Sequence, residues 1–168
     1  RAWRRQHNLI GQMAQERGVK LEYGGDILES LIPPWLFWQD RKRFRFDGQH
    51  RRNDHLCASN PESMAWLRQR VTRLFQRNPE IDRWHIWPNN QDAAAWCDCP
   101  DCRRLSPSDQ ALLLINAMAE ALETVSSAAT ISFAAQQATL ATPLAHLPRP
   151  NVALLAWAAD RCYAHGID

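Results

Sequence analysis

Along this 168-residue chain, short β-favouring runs alternate with amphipathic helical stretches, and strands separated by helices pair in parallel within an α/β fold. A helical pattern over residues 3–17 places Leu9, Ile10 and Met13 on one face and stops at Gly18, a residue suited to a helix C-terminus. Val19 to Tyr23 reads as a strand that runs into a sharp turn at Gly24-Gly25-Asp26. Residues 27–37 are apolar but interrupted by Pro33-Pro34, so a short helix followed by an irregular loop is expected. Residues 39–46, where Phe44 and Phe46 alternate with Arg43 and Arg45, fit a small hairpin or a charged excursion.

Beyond residue 54 the pattern becomes regular. His55-Leu56-Cys57 is a minimal strand, and Ser59-Asn60-Pro61-Glu62 opens a helix that runs to about Arg77 with Leu67, Val71, Leu74 and Phe75 inward. A strand over Arg83 to Trp87 precedes a long polar loop. Ser106-Pro107-Ser108-Asp109 then starts a helix carrying Leu112, Ile115, Met118 and Leu122. Two further strands are expected, Thr130 to Ala134 and Val152 to Trp157. The loops that follow strands are rich in polar and aromatic residues, as in a (β/α)8 barrel, whose site gathers at the strand C-termini. Five strands are too few for an eight-stranded barrel of about 250 residues. The chain therefore reads as one α/β domain over 1–168, a partial TIM-barrel-like piece with parallel strands; an open doubly wound sheet is the alternative.

Charge divides unevenly. Residues 1–105 hold 18 Lys+Arg against 13 Asp+Glu, and residues 106–168 hold 2 against 5. The basic excess is small for a dedicated nucleic-acid binder. No run approaches the roughly 18 apolar residues of a membrane span, and no signal-peptide pattern stands at the start. Eight Trp against two Tyr is an unusual ratio, since Trp is favoured where a flat apolar face meets a polar ligand.

Three groups of residues point to chemistry. Cys97, Cys99 and Cys102 form a CxCxxC cluster, and Cys57 at the end of an earlier strand would complete a four-thiolate zinc site. A disulfide or simply packed thiols are the competing readings. Asp26, Asp92 and Asp160 follow predicted strands, where barrel enzymes place acids, bases and nucleophiles, although Asp also serves in turns there. Trp87, Asn89, Asn90 and Trp96 follow one strand, and Trp157, Arg161, Tyr163 and His165 follow another; they suit sugar faces and hydroxyls. Trp66 and Trp84 read as packing. Arg41, Lys42, Arg43, Arg45, Arg51 and Arg52 form a basic run that is a solvated loop, a phosphate contact or a site for a uronic acid or sulfated sugar.

The ordered set His55-Leu56-Cys57-Ala58-Ser59-Asn60-Pro61-Glu62, then Asp92 through Trp96-Cys97-Asp98-Cys99-Pro100-Asp101-Cys102, then Arg149-Pro150-Asn151-Val152 and Arg161-Cys162-Tyr163-Ala164-His165 resembles the domain of unknown function 4838 family. That bacterial family is related to (β/α)8-barrel glycoside hydrolases. The resemblance covers Val19 to Asp168 and implies a carbohydrate-active barrel of α-glucuronidase-like or hexosaminidase-like ancestry. Asp92 matches the family's acidic residue ahead of the cysteines, with Ala93 to Ala95 in place of glycines. Arg161, Tyr163 and His165 match its late polar motif. Gly24-Gly25 matches a glycine pair that a His follows, where this chain has Asp26.

The expected function is glycan binding or hydrolysis on uronic-acid- or hexosamine-containing glycans. Asp92 would be acid/base or nucleophile, with Arg161 and His165 beside it. Asp26, Trp87, Asn89, Asn90, Trp96, Trp157 and Tyr163 would bind substrate. Catalysis would need no cofactor, zinc at Cys57, Cys97, Cys99 and Cys102 being structural. The expected partner is a carbohydrate, not nucleic acid or membrane. The alternative is a non-catalytic carbohydrate-binding or zinc-stabilised interaction module.

Overall fold

The computed structural model describes residues 9–14, 16–25, 28–87 and 96–156. Four strands, β1 (Glu22–Gly25), β4 (Arg83–Ile86), β5 (Thr130–Ala135) and β6 (Val152–Ala156), form one parallel sheet in the order β1-β4-β5-β6. Strands β2 (Phe44–Phe46) and β3 (Arg51–Leu56) form a separate antiparallel hairpin. The helices are α1 (Leu28–Leu31), α2 (Pro34–Gln39), α3 (Pro61–Gln76) and α4 (Pro107–Glu123). The fold is α/β. Among the described residues the strand order follows the chain in one direction, as it does in a barrel wall.

Both long helices begin where their caps dictate. The Asn60 side chain accepts from Ser63 N–H at 2.9 Å and Ser106 Oγ accepts from Asp109 N–H at 3.1 Å, each with Pro as the first helical residue. Helices α3 and α4 pack on each other and on one face of the sheet. Leu67, Val71 and Phe75 of α3 meet a core that includes Trp84, Ile86, Ile131 and Phe133, with the Phe75 and Trp84 ring centroids 5.0 Å apart. Helix α4 is buried around most of its circumference, which its alanines at 111, 117, 119 and 121 permit.

Several sequence expectations are corrected. The first strand is Glu22–Gly25, so both glycines lie inside it. The reason is steric: Gly24 has φ +131°, and a Cβ there would lie 1.9 Å from the His85 carbonyl oxygen, so only glycine allows β1 to approach β4. Pro34 opens helix α2 where a loop was expected, because proline suits a first helical turn. The strand that delivers Cys57 is one arm of an antiparallel hairpin, not a member of the parallel sheet, which reduces the parallel strands to four. Leu9, Ile10 and Met13 are exposed, and the inward face of that helical stretch is Gly11 and Ala14. Gly18 does end it: φ is +64° and Val19 N–H bonds back to the Ala14 carbonyl at 2.9 Å.

Candidate functional site

The four cysteines meet. Cys57 leaves the hairpin, while Cys97, Cys99 and Cys102 come from the loop and 3₁₀ turn before α4. All four are buried, reduced and within 4.8 Å of one another at sulfur. The Cys57 sulfur stands 3.7 Å from each of the other three. A disulfide bond would need about 2.05 Å. Tetrahedral coordination at a metal–sulfur distance of about 2.3 Å places sulfurs about 3.8 Å apart, so the cluster has the dimensions of a four-thiolate metal site and can hold a metal ion.

The surrounding groups orient these sulfurs. Phe46 N–H points to Cys97 Sγ at 3.3 Å, Cys102 N–H to Cys99 Sγ at 3.5 Å, and Cys102 Sγ lies 3.1 Å from Ser59 Oγ. Buried Gln110 of α4 accepts from Cys97 N–H at 3.0 Å and donates to the Cys97 and Cys102 carbonyls at 3.1 and 3.2 Å. Such outer partners fix ligand geometry at metal sites. Among the thiols themselves, hydrogen bonds from Cys102 and Cys97 hold the Cys57 pKa down to about 3, and the bond to Cys57 pushes Cys102 up. Thiolate is the form of these side chains that ligates metal.

A second polar group lies on the sheet face opposite the helices. The in-register residues Gly24, His85, Ser132 and Ala153 line it. Trp87, just past β4 and half-buried, donates from its indole nitrogen to Ser132 Oγ at 3.1 Å. Ser132 Oγ is 2.6 Å from His85 Nδ1, and His85 Nε2 is 3.0 Å from Glu22 Oε2. An indole N–H only donates and an ionised carboxylate only accepts. With a neutral imidazole the chain therefore has one sense: Trp87 to Ser132, Ser132 to His85, His85 to Glu22. It fixes the Trp87 ring at the C-terminal edge of the sheet.

Of the remaining expected site residues, Trp96 is 7% exposed and stacks on His55, ring centroids 5.9 Å apart. Its indole nitrogen has no hydrogen-bond partner among the described residues. Trp84 is buried and Trp66 packs against the core. Asp26, Asn89, Asn90, Asp92, Trp157, Arg161, Tyr163 and His165 lie outside the described residues, as do Asp160 and Cys162. The structure adds Glu22, His85 and Ser132, which lie too far apart in sequence to suggest one another. It also exposes Trp35 (59%) and Trp38 (73%), whose i, i+3 spacing on α2 was the available signal.

The family model described as a domain of unknown function, DUF4838, matches residues 9–167. The chain belongs to the DUF4838 family. Within this DUF4838 chain the match takes in the cysteine cluster and every strand of the sheet. No curated protein matches it.

Proposed function

We propose that this DUF4838 chain is a zinc-stabilised α/β domain that holds a glycan at the C-terminal edge of its parallel sheet. The observation that carries the reading is Trp87: a half-buried indole at the strand end, on the face the helices leave uncovered, held in place through Ser132. A fixed aromatic ring with polar neighbours suits the C–H face and the hydroxyls of a sugar. The one-directional strand order suits a (β/α)8-type wall, and kinship with glycoside hydrolases is part of the proposal. In this reading the domain hydrolyses a glycosidic bond, with Asp92 as acid/base or nucleophile and Arg161 and His165 beside it. Zinc is the proposed ion because four buried thiolates at this spacing suit a closed structural site. Carbohydrate is the proposed partner, rather than nucleic acid or membrane.

The test is calorimetric binding of neutral and acidic oligosaccharides, with activity on aryl glycosides and uronides, for wild type, Trp87→Ala and Asp92→Asn. The expected outcome is weaker binding in Trp87→Ala by about tenfold or more and loss of activity with retained binding in Asp92→Asn. Unchanged binding in Trp87→Ala contradicts the placement of the glycan, and full activity in Asp92→Asn removes that residue from the chemistry.

A further inference from the structure

The basic run separates into two groups. Arg43 pairs with Asp40 and Glu62, Arg45 makes two 2.6 Å bonds to Asp54, and Arg52 pairs with Asp47. Arg41 and Arg51 pair with no carboxylate among the described residues. Instead the Arg41 guanidinium lies 5.4 Å from the Phe37 ring centroid and 5.3 Å from that of Trp38, and Arg51 lies 5.4 Å from that of Phe46 and donates from Nη1 to the Phe44 carbonyl at 2.5 Å, which leaves its other N–H groups to a ligand. Aromatic rings position a guanidinium without neutralising it.

These two cations line one open cleft of about 590 Å³, with Phe46, Gln49, His50 and Pro100. No carboxylate is among the described residues that line it. Of the acids beside these lining residues in sequence, Asp101 is exposed, Asp40 pairs with Arg43, Asp98 pairs with Arg103, and Asp47 accepts from Gln49 N–H at 2.9 Å and His50 N–H at 2.7 Å as well as from Arg52. The bonds to Asp47, the backbone ones foremost, hold its carboxyl well below the usual range. The contrast with the larger neighbouring cleft of about 780 Å³ is direct, since its Arg45, Arg52 and Arg103 each face an Asp in the same wall or turn.

We propose that the Arg41–Arg51 cleft binds the anionic group of an acidic sugar, a ring-borne carboxylate or sulfate. Two guanidinium forks without acidic partners match an oxyanion of that size, and the Gln49 amide and His50 ring offer partners for hydroxyls. A single-stranded nucleic acid would need open aromatic faces to stack on. Phe46, the one phenyl ring among the described lining residues, packs against the cysteine cluster and already carries Arg51. Cys99 and Pro100 of the metal-site loop form part of the wall, so the cleft depends on the cysteine centre for its shape. The proposal deepens the glycan reading by naming the charge its ligand carries.

The experiment is calorimetric titration of the 168-residue chain with a tetragalacturonate, a carrageenan tetrasaccharide that carries sulfate but no uronate, neutral cellotetraose and an eight-nucleotide oligo-dT. Each titration is repeated in Arg41→Gln, Arg41→Lys and Trp87→Ala. Arg41 is exposed and its guanidinium rests on the Phe37 and Trp38 rings, so its variants should melt with wild type. The expected result is that one or both acidic sugars bind and weaken about tenfold or more in Arg41→Gln, the loss of one charge-assisted bond. Arg41→Lys should fall between, and the neutral sugar should not respond to Arg41 at all. Binding of tetragalacturonate alone assigns a carboxylate, of the carrageenan alone a sulfate, of both the shared oxyanion. Acidic-sugar binding that is unmoved in Arg41→Gln overturns the cleft, and if it falls in Trp87→Ala the glycan reading survives. Oligo-dT binding tighter than either acidic sugar and dependent on Arg41 overturns the sugar assignment. Failure of all three sugars to bind overturns both readings.

Discussion

Gly24 has no room for a side chain. A Cβ would press into the His85 carbonyl at a backbone angle that L residues rarely adopt, so Gly24→Ala should cost at least ~2 kcal/mol, read as a shifted denaturant midpoint; a midpoint equal to wild type would contradict the close pairing. Asp109 is the opposite case, a buried carboxylate kept charged. Burial would raise its pKa, but the Ser106 hydroxyl and the N–H groups of Ala145, Leu144 and His146 outweigh that and hold it well below the usual range. A folded-state pKa below the unfolded one contributes stability above the unfolded value, lost as pH falls toward the folded one. Asp109→Asn should therefore cost about 1–3 kcal/mol at pH 7, and its gap from wild type should close as pH drops below about 4. Melting curves at pH 7 and across the acid range check both the size and the sign. At this scale the cysteines were legible because CxCxxC places three thiols within six residues. Glu22, His85 and Ser132 were not, because 63 and 47 residues separate the pairs that bond.

Among elements, the two long helices could be read from their caps and inward apolar positions, since both signals are local. Strand β1 begins three residues later than expected because the apolar run Val19 to Tyr23 overlaps the pairing segment only at Glu22 and Tyr23, and pairing is decided by β4. The hairpin was missed as the carrier of Cys57 because His55-Leu56-Cys57 looks alike in a parallel strand and a hairpin arm. Its attachment is made by long-range contacts: Asp98 N–H bonds to the Phe46 carbonyl at 2.7 Å, and Phe46 N–H points to Cys97 Sγ. The hairpin and the loop before α4 thus meet at the cysteines, where Phe46 packs on the cluster, and at the stacked His55 and Trp96 rings, while Phe44 and Leu56 tie the hairpin to the main core. Metal removal should loosen this junction first. Hydrogen exchange in the presence of a zinc chelator should show faster exchange over residues 44–57 and 97–105 than in α3, whose apolar face is in the core; uniform protection across all three would contradict it.

At the scale of the whole chain, the two long helices pack on one face of the sheet and a polar lattice lies on the other. The helix-packed face holds Trp84, Ile86, Ile131 and Phe133; the other presents His85, Ser132 and the Trp87 indole. The parallel α/β class was legible from alternation, whereas the division into a four-stranded sheet and a separate hairpin required the pairing itself. In the proposed reading the four cysteines, which can hold a metal ion, bind zinc and so help join the hairpin to the sheet-and-helix body. Its most direct test is the zinc content of reduced, purified protein by elemental analysis, with melting followed before and after chelation, for wild type and Cys57→Ser. The account predicts about one zinc per chain in wild type, little in Cys57→Ser, and a lower melting temperature when zinc is removed. Zinc-free wild-type protein whose melting does not change with chelator would contradict it.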